Sequence, residues 1–502
     1  MQITGTRPRL QPAAGHDGRS NDVNNAMNRA RRLTVLGILV ATLSACAVGP
    51  DHQRPEQALG ETYRHAQGWV QVDAAAQAPL ARDWWVLFAD ARLDGLMSEL
   101  MRANLTLQES EARFRQAQAG LRSAESGLFP TVGSNASVTR SGGGSVDAGN
   151  RHSLGGTVTW ELDVWGRVRR DVEAGEASAQ ASAADLAATR LSLQSTLAQT
   201  YFRLVSLDAE KRLLDQTIEM YERSLQMTQN RYQAGVAAQV DIEASRSQLE
   251  SARVQRLTLE RQRAVHENAL AVLTGRPPSD FSLDGMARLG SVPGIPAGVP
   301  AELLQRRPDI VAAERRVAEA NARIGVAQAA WFPSLTLSAQ GGYASGQWAQ
   351  WLSAPAQFWS LGPALALSLF DGGARQASLD SARAAHEAQS AAYRQTVLTA
   401  LREVEDYLIS LRVQQQEQET QARALAAARE TLRLIMNQYD AGMVDYLSVV
   451  QVQASALNAE RTALSLQAER MVNSVQLIAA LGGGWDVSQL LQNPEREEDA
   501  GG

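Results

Sequence analysis

The chain has 502 residues, with 48 Lys+Arg against 54 Asp+Glu for a formal charge of −6, and a single cysteine. One cysteine excludes an intramolecular disulfide framework and any multi-cysteine zinc or iron–sulfur site. The mild acidity supplies no basic stripe for nucleic acid, and 44% hydrophobic against 20% charged residues excludes general disorder.

The chain opens on a processing signal. Met27-Asn28-Arg29-Ala30-Arg31-Arg32 is basic, residues 33–43 are apolar, and Leu43-Ser44-Ala45-Cys46 follows. Basic, apolar and small-residue regions in that order form an export signal. The apolar run is far shorter than the ~20 residues a membrane-spanning helix needs. Leu-Ser-Ala-Cys resembles the bacterial lipobox, whose cysteine is lipidated and becomes the first mature residue. Residues 1–45 are therefore expected to be removed, leaving N-palmitoyl and S-diacylglycerol groups on Cys46. Met27 by itself begins a complete signal, so residues 1–26 read as an upstream extension. Removing residues 1–45 takes away six Arg and two Asp, leaving 42 basic against 52 acidic residues, a balance of −10. Ala47 after the cysteine resembles lipoproteins sorted to the outer membrane.

The remainder is one unit written twice. Gly127-Leu128-Phe129-Pro130 is matched by Ala330-Trp331-Phe332-Pro333, and Arg231-Tyr232-Gln233-Ala234-Gly235 by Gln438-Tyr439-Asp440-Ala441-Gly442. Ala271-Val272-Leu273-Thr274-Gly275 is echoed by Ala479-Ala480-Leu481-Gly482-Gly483. The first copy occupies 46–290, a Pro/Gly-rich linker 291–300, the second copy 301–485 and a tail 486–502. Copy one is expected to contain a helix over 93–126, strands over 131–140 and 153–164, and helices over 167–233 and 240–273. For copy two the expectation is a helix over 308–330, strands over 334–343 and 361–370, and helices over 374–440 and 447–481.

Each first helix ends just before a Phe-Pro, where the ring disfavours further helix. The strands alternate, with Leu154, Val158, Trp160 and Leu162 set against Thr157, Thr159 and Glu161. Period-2 segments of about ten residues have the length of transmembrane β-strands. Trp160, Trp165, Trp331, Trp348, Trp351 and Trp359 fall in or beside these hairpins, six of the ten tryptophans, which suits an aromatic girdle at a membrane interface. Four strands cannot close a barrel, and an open edge in lipid leaves backbone groups unpaired. Several subunits must then share one barrel.

The long helices are free of Gly and Pro over 176–234 and 374–441. Apolar pairs recur at eleven residues, as in Leu186/Leu197 and Leu193/Leu204, and that period suits nearly straight helices standing side by side.

No catalytic constellation emerges. His266-Glu267 and His386-Glu387 lack the second histidine of a zincin motif, and no G-x-S-x-G elbow or P-loop lysine motif occurs. The chain is expected to be no enzyme and to need no metal or cofactor beyond the covalent lipid.

Several stretches resemble the TolC-like outer-membrane efflux proteins, specifically the NodT-type outer-membrane lipoprotein channel subunits of tripartite efflux systems. Trp84-Trp85 with Phe88, Asp90, Leu93, Leu96 and Asn104-Leu105 is similar to that family's opening motif. Arg307-Pro308-Asp309 with Phe332-Pro333 resembles its second-repeat signature, and Leu481-Gly482-Gly483-Gly484-Trp485 its usual ending.

The resemblance implies a mostly α fold with a small β part. Long helical hairpins form a trimeric α-barrel, and four strands per subunit contribute to a shared 12-stranded outer-membrane β-barrel. It also implies a passive duct in the outer membrane with a periplasmic extension, carrying drugs or other small molecules from periplasm to outside. The implied partners are two further copies, a periplasmic adaptor and an RND-type inner-membrane pump, docking at the repeat-tip turns of Gly235 and Gly442. The family's entrance pattern, Tyr-Leu-x-x-x-Asp, reads here Tyr446-Leu447-Ser448-Val449-Val450-Gln451. Leu447 takes the apolar role, Gln451 stands where a carboxylate is expected, and Asp445 or Asp440 nearby are candidates to replace it. The alternative reading is a lipid-anchored periplasmic adaptor with a coiled-coil hairpin.

Overall fold

The computed structural model describes residues 47–65, 82–144, 146–285, 290–295 and 300–488. Cys46 and the expected signal region 1–45 lie outside the described residues, as does 489–502 of the expected tail. By chain contacts the protein divides into two units, one built around residues 124–172 and 322–380, the other around 52–123, 173–321 and 381–502. No helix among the described residues is long and apolar enough to cross a membrane.

The first unit holds a four-stranded antiparallel sheet in the order β1 (Thr131–Gly143), β2 (Val146–Leu162), β3 (Ser334–Ser345) and β4 (Gln357–Ala366). β1–β2 and β3–β4 are hairpins, one from each copy of the repeat, and the β2–β3 ladder joins them. The fourth strand is displaced from the expected 361–370. Ser334, the first residue of β3 after Pro333, pairs with Ala366, so nothing remains for residues 367–370 to pair with. Leu369 and Phe370 are accordingly 88% and 91% exposed. The apolar alternation runs past the end of the ladder, which is why the pattern misplaced the strand.

The long helices begin where an aspartate can accept backbone N–H groups. Asp163 accepts from Val168 and Arg169 N at 2.9 Å at the start of α3 (Arg167–Gln233). Asp371 does the same for Gly373 and Arg375 N at the start of α6 (Ala374–Asp440). Both helices have 67 residues, about 100 Å at 1.5 Å per residue. Each is followed by a 35-residue partner, α4 (Gln239–Leu273) and α7 (Tyr446–Ala480).

The continuous helix expected over 93–126 is two helices, α1 (Ala91–Ala103) and α2 (Leu105–Ser126). Asn104 breaks it by leaving the helical conformation, with φ −70° and ψ 124°. Its Oδ1 then accepts from Leu107 N at 2.9 Å, capping α2, while its Nδ2 donates to Leu273 O at 2.8 Å. A short polar side chain that competes for backbone groups is the physical reason.

The core of the second unit forms where α3, α6 and α7 meet α1 and the residues before it. Trp84 is fully buried there and donates its indole N–H to Gln194 Oε1 at 3.3 Å. Phe88 packs on Phe202 with ring centroids 4.9 Å apart. The Tyr201 hydroxyl donates to Asp90 Oδ2 at 2.6 Å, and Asp90 also caps α1. Burial and that acceptor push the Tyr201 phenol well above its usual pKa. Before α5 (Pro308–Ala329), Arg307 makes a two-pronged contact with Asp309 at 3.0 and 2.6 Å. It also donates to Glu403 at 2.8 Å and to Ala480 O at 3.2 Å. Burial would lower its pKa, but Asp309 and Glu403 outweigh that and hold it above its usual value. The Trp-Trp and Arg-Pro-Asp stretches are thus fastenings of the helical unit.

Candidate functional site

Within the sheet, residues paired across an antiparallel ladder share a face, so the register sorts side chains into rows. Val132, Val158, Ala339 and Leu361 form one row; Trp160, Leu337 and Pro363 form the next but one. Between them, on the opposite face, lie Thr131, Thr159, Ser338 and Gly362, and beyond these Gly133, Thr157, Gln340 and Ser360. One face is apolar and the other polar. Apolar side chains of the first face stand in the open, with Val132 74%, Leu361 66% and Leu365 70% exposed.

Aromatic residues bracket the sheet at both ends. At the end nearest α3, Trp165 stacks on Phe332 at 4.8 Å and donates to Pro333 O at 2.7 Å, and the Arg375 guanidinium sits 5.0 Å from the centre of the Trp331 ring. At the far end Trp348, Trp351 and His152 cluster, with ring centroids 5.1 to 5.9 Å apart. Two aromatic levels separated by a two-faced sheet match the outside of an outer-membrane barrel wall.

Within the helical unit, the turns at Gly235 and Gly442 are equivalent. Both glycines take φ +73°, the left-handed region that closes a helix. Gly235 N–H donates to Tyr232 O and Val236 N–H to Arg231 O, while Gly442 N–H donates to Tyr439 O and Met443 N–H to Gln438 O. Beside them Val236, Val240 and Met443 are 66–70% exposed.

Leu447 and Gln451, four residues apart on α7, share its exposed face, and Leu447 is 54% exposed. Asp445 is not on that face; it is the N-cap of α7, accepting from Ser448 N at 3.0 Å and Ser448 Oγ at 2.6 Å. Those bonds hold its carboxyl below the usual range. Asp440, the last residue of α6, is exposed before the turn.

Tyr446 was missed as a site residue by sequence reasoning. It is 2% exposed, and its hydroxyl lies 2.9 Å from both Ser224 Oγ on α3 and Ser245 Oγ on α4. Its ring packs on Tyr439, over which the Arg231 guanidinium lies at 4.5 Å while donating to Tyr439 O at 3.1 Å. The hairpin of one repeat is thereby latched to that of the other. The repeat match of Arg231 and Tyr439 neighbourhoods was legible; the hydroxyl's buried partners were not. Tyr446→Phe leaves two serine hydroxyls short of a buried partner, at about 1–3 kcal/mol. It is expected to lower the thermal midpoint of the helical circular dichroism by about 1–4 °C, and an unchanged midpoint would remove the latch.

These features define a protein whose sheet belongs in an outer membrane and whose two helical hairpins are tied to each other beside their turns. The family model described as outer membrane efflux protein matches residues 96–276 and 299–483, and the chain belongs to that family. The cation efflux system protein CusC of Escherichia coli is 30% identical over 448 residues, 88% of this chain and 96% of its own. A toluene efflux pump outer membrane protein, TtgF of Pseudomonas putida, is 30% identical over 461 residues, 89% and 96% of the two chains. Among solved structures, the outer-membrane channel OprN matches with a TM-score of 0.82 at 30% identity, over 88% of this chain and all of that one. The open-state MtrE channel of Neisseria gonorrhoeae matches with a TM-score of 0.77 at 28% identity, over 88% and 98%.

The protein is an outer-membrane efflux channel component, a passive transport duct and not an enzyme, with helices extending into the periplasm. The alternative reading as a periplasmic adaptor is not favoured, since relatives and structural neighbours alike are channels.

Proposed function

We propose that three copies of the chain close one 12-stranded barrel and one trimeric α-barrel, forming the exit duct of a tripartite efflux pump. The observation that carries this reading is the pair of sheet edges. Among the described residues β1 pairs only with β2 and β4 only with β3, yet one face of the sheet is apolar. In hydrocarbon each unpaired backbone group costs several kcal/mol, so the edges must meet other copies. The apolar face then meets lipid and the polar face lines the water-filled lumen. Purified full-length protein is expected to have the mass of three copies in native mass spectrometry; a monomer or dimer as the sole species would sink this reading.

The exposed tips around Gly235 and Gly442 are the docking points for a periplasmic adaptor and an RND-type inner-membrane pump, consistent with relatives named as outer-membrane proteins of efflux pumps. Leu447 supplies the apolar ring of the periplasmic gate and Gln451 a neutral polar ring one turn on. Asp440, with its carboxylate exposed, is better placed to act near the entrance than Asp445, whose oxygen is committed to Ser448. Leu447→Ser is expected to raise the resting conductance, and an unaltered trace would take Leu447 out of the gate. Cys46 carries the N-palmitoyl and S-diacylglycerol anchor. Cys46→Ser should abolish metabolic labelling with palmitate; a retained label would remove the anchor.

A further inference from the structure

The polar face of the sheet carries one large apolar side chain. Its rows carry only threonine, serine, glycine, alanine, glutamine and glutamate until the row Asn135–Gly155–Gly342–Phe358. Phe358 belongs to β4, two strands away from Gly155, and strands lie about 4.8 Å apart. Its Cζ nevertheless comes within 3.6 Å of where a Cβ on Gly155 would stand. The ring therefore lies across Gly342 and reaches Gly155 instead of standing up from its own strand. Neither glycine offers a side chain to displace it. A Cβ at Gly342 would come within 2.1 Å of Leu154 O, so that position is held open by the backbone itself. Asn135 Oδ1 closes the other side, 3.3 Å from the same Gly155 Cβ position. Phe358 is 37% exposed, so part of the ring faces solvent.

We infer that Phe358 is an aromatic contact for exported molecules inside the barrel, a platform for planar cationic aromatic compounds. The inference rests on the reading that the polar face lines the lumen. An aromatic ring resting against glycine backbone with part of its surface open offers that surface for stacking and for cations, with an amide beside it for hydrogen bonds. In a three-copy barrel the platform repeats three times at one level. A duct that binds weakly at several such places passes its cargo without trapping it.

The test uses the full-length protein in bilayers with Ser360→Cys, one row along the same face, and Leu361→Cys on the apolar face. The probes are the membrane-impermeant thiol reagent methanethiosulfonate ethyltrimethylammonium and the aromatic cation ethidium. Ser360→Cys is expected to react and Leu361→Cys not to, with wild type reporting any reaction at Cys46, the chain's only cysteine. Ethidium is expected to slow the Ser360→Cys reaction roughly two- to fivefold, the range one exposed cation–π contact supplies. That protection should vanish when Phe358→Ser is added. Phe358→Leu keeps an apolar cover over the glycines and should lose the protection too, which guards against a misfolded serine variant. Equal protection with and without the ring would mean that Phe358 only covers glycine backbone, and the proposal falls. Equal reactivity of Ser360→Cys and Leu361→Cys would overturn the lumen assignment instead.

Discussion

Leu361→Arg is expected to stop the protein from entering the outer membrane. Leu361 sits at mid-strand in β4 on the apolar face, in a row with Val132, Val158 and Ala339, and is 66% exposed. An arginine on the lipid face of a barrel near the bilayer midplane costs about 2–4 kcal/mol. In the proposed trimer that penalty is incurred three times. The matched control is Ser360→Arg, the adjacent residue on the polar face, where the guanidinium meets water. Outer-membrane fractionation should find the Ser360 variant at wild-type level and the Leu361 variant reduced severalfold or more. Equal insertion of both would mean that the two faces do not see different solvents.

Arg307→Met is expected to loosen the helical unit. The guanidinium joins Asp309, Glu403 and the carbonyl of Ala480, the last residue of α7, so one side chain ties the start of α5 to α6 and α7. Removing one partner of a buried ion pair leaves the others uncompensated, at 3–5 kcal/mol when all are buried. Here the Asp309 and Glu403 side chains are 39% and 31% exposed. Water screens the stranded carboxylates, and about 2–3 kcal/mol is the better expectation. Detergent-solubilised variant should lose helical circular dichroism several degrees below wild type. Arg307→Lys should recover only part of the loss, since an ammonium cannot span both Asp309 oxygens while reaching Glu403. Full recovery by lysine would show that charge alone matters at this position.

How far the sequence could be read depended on how local the controlling physics was. Long runs of helix formers without Gly or Pro mark α3 and α6, because propensity summed over many residues leaves no competitor. The eleven-residue pairs fall where Leu197 and Leu204 are fully buried. The alternation over β2 and β3 likewise follows from a sheet with two different solvents. What escaped was set by partners distant in the chain. The extent of β4 is decided by where β3 starts, not by its own apolar pattern, which continues through Leu367 and Leu369. The break at Asn104 depends on a bond to Leu273, 169 residues on. At the candidate gate, Leu447 and Gln451 were visible through the resemblance of 446–451 to the family's entrance pattern. The function of Tyr446 rests on Ser224 and Ser245, two unremarkable helix serines until the fold brings them to one hydroxyl. Asp445 was a candidate to replace the missing carboxylate, but its place just before α7 makes it the N-cap, accepting from Ser448 N and Oγ.

A channel requires the sheet to be part of a closed, water-filled wall. Purified full-length protein added to a planar lipid bilayer is expected to give stepwise, uniform conductance increments only in the trimeric fraction, and the Leu361→Arg variant none. A trimer that leaves the bilayer electrically silent, with Leu447→Ser equally silent, would contradict the channel.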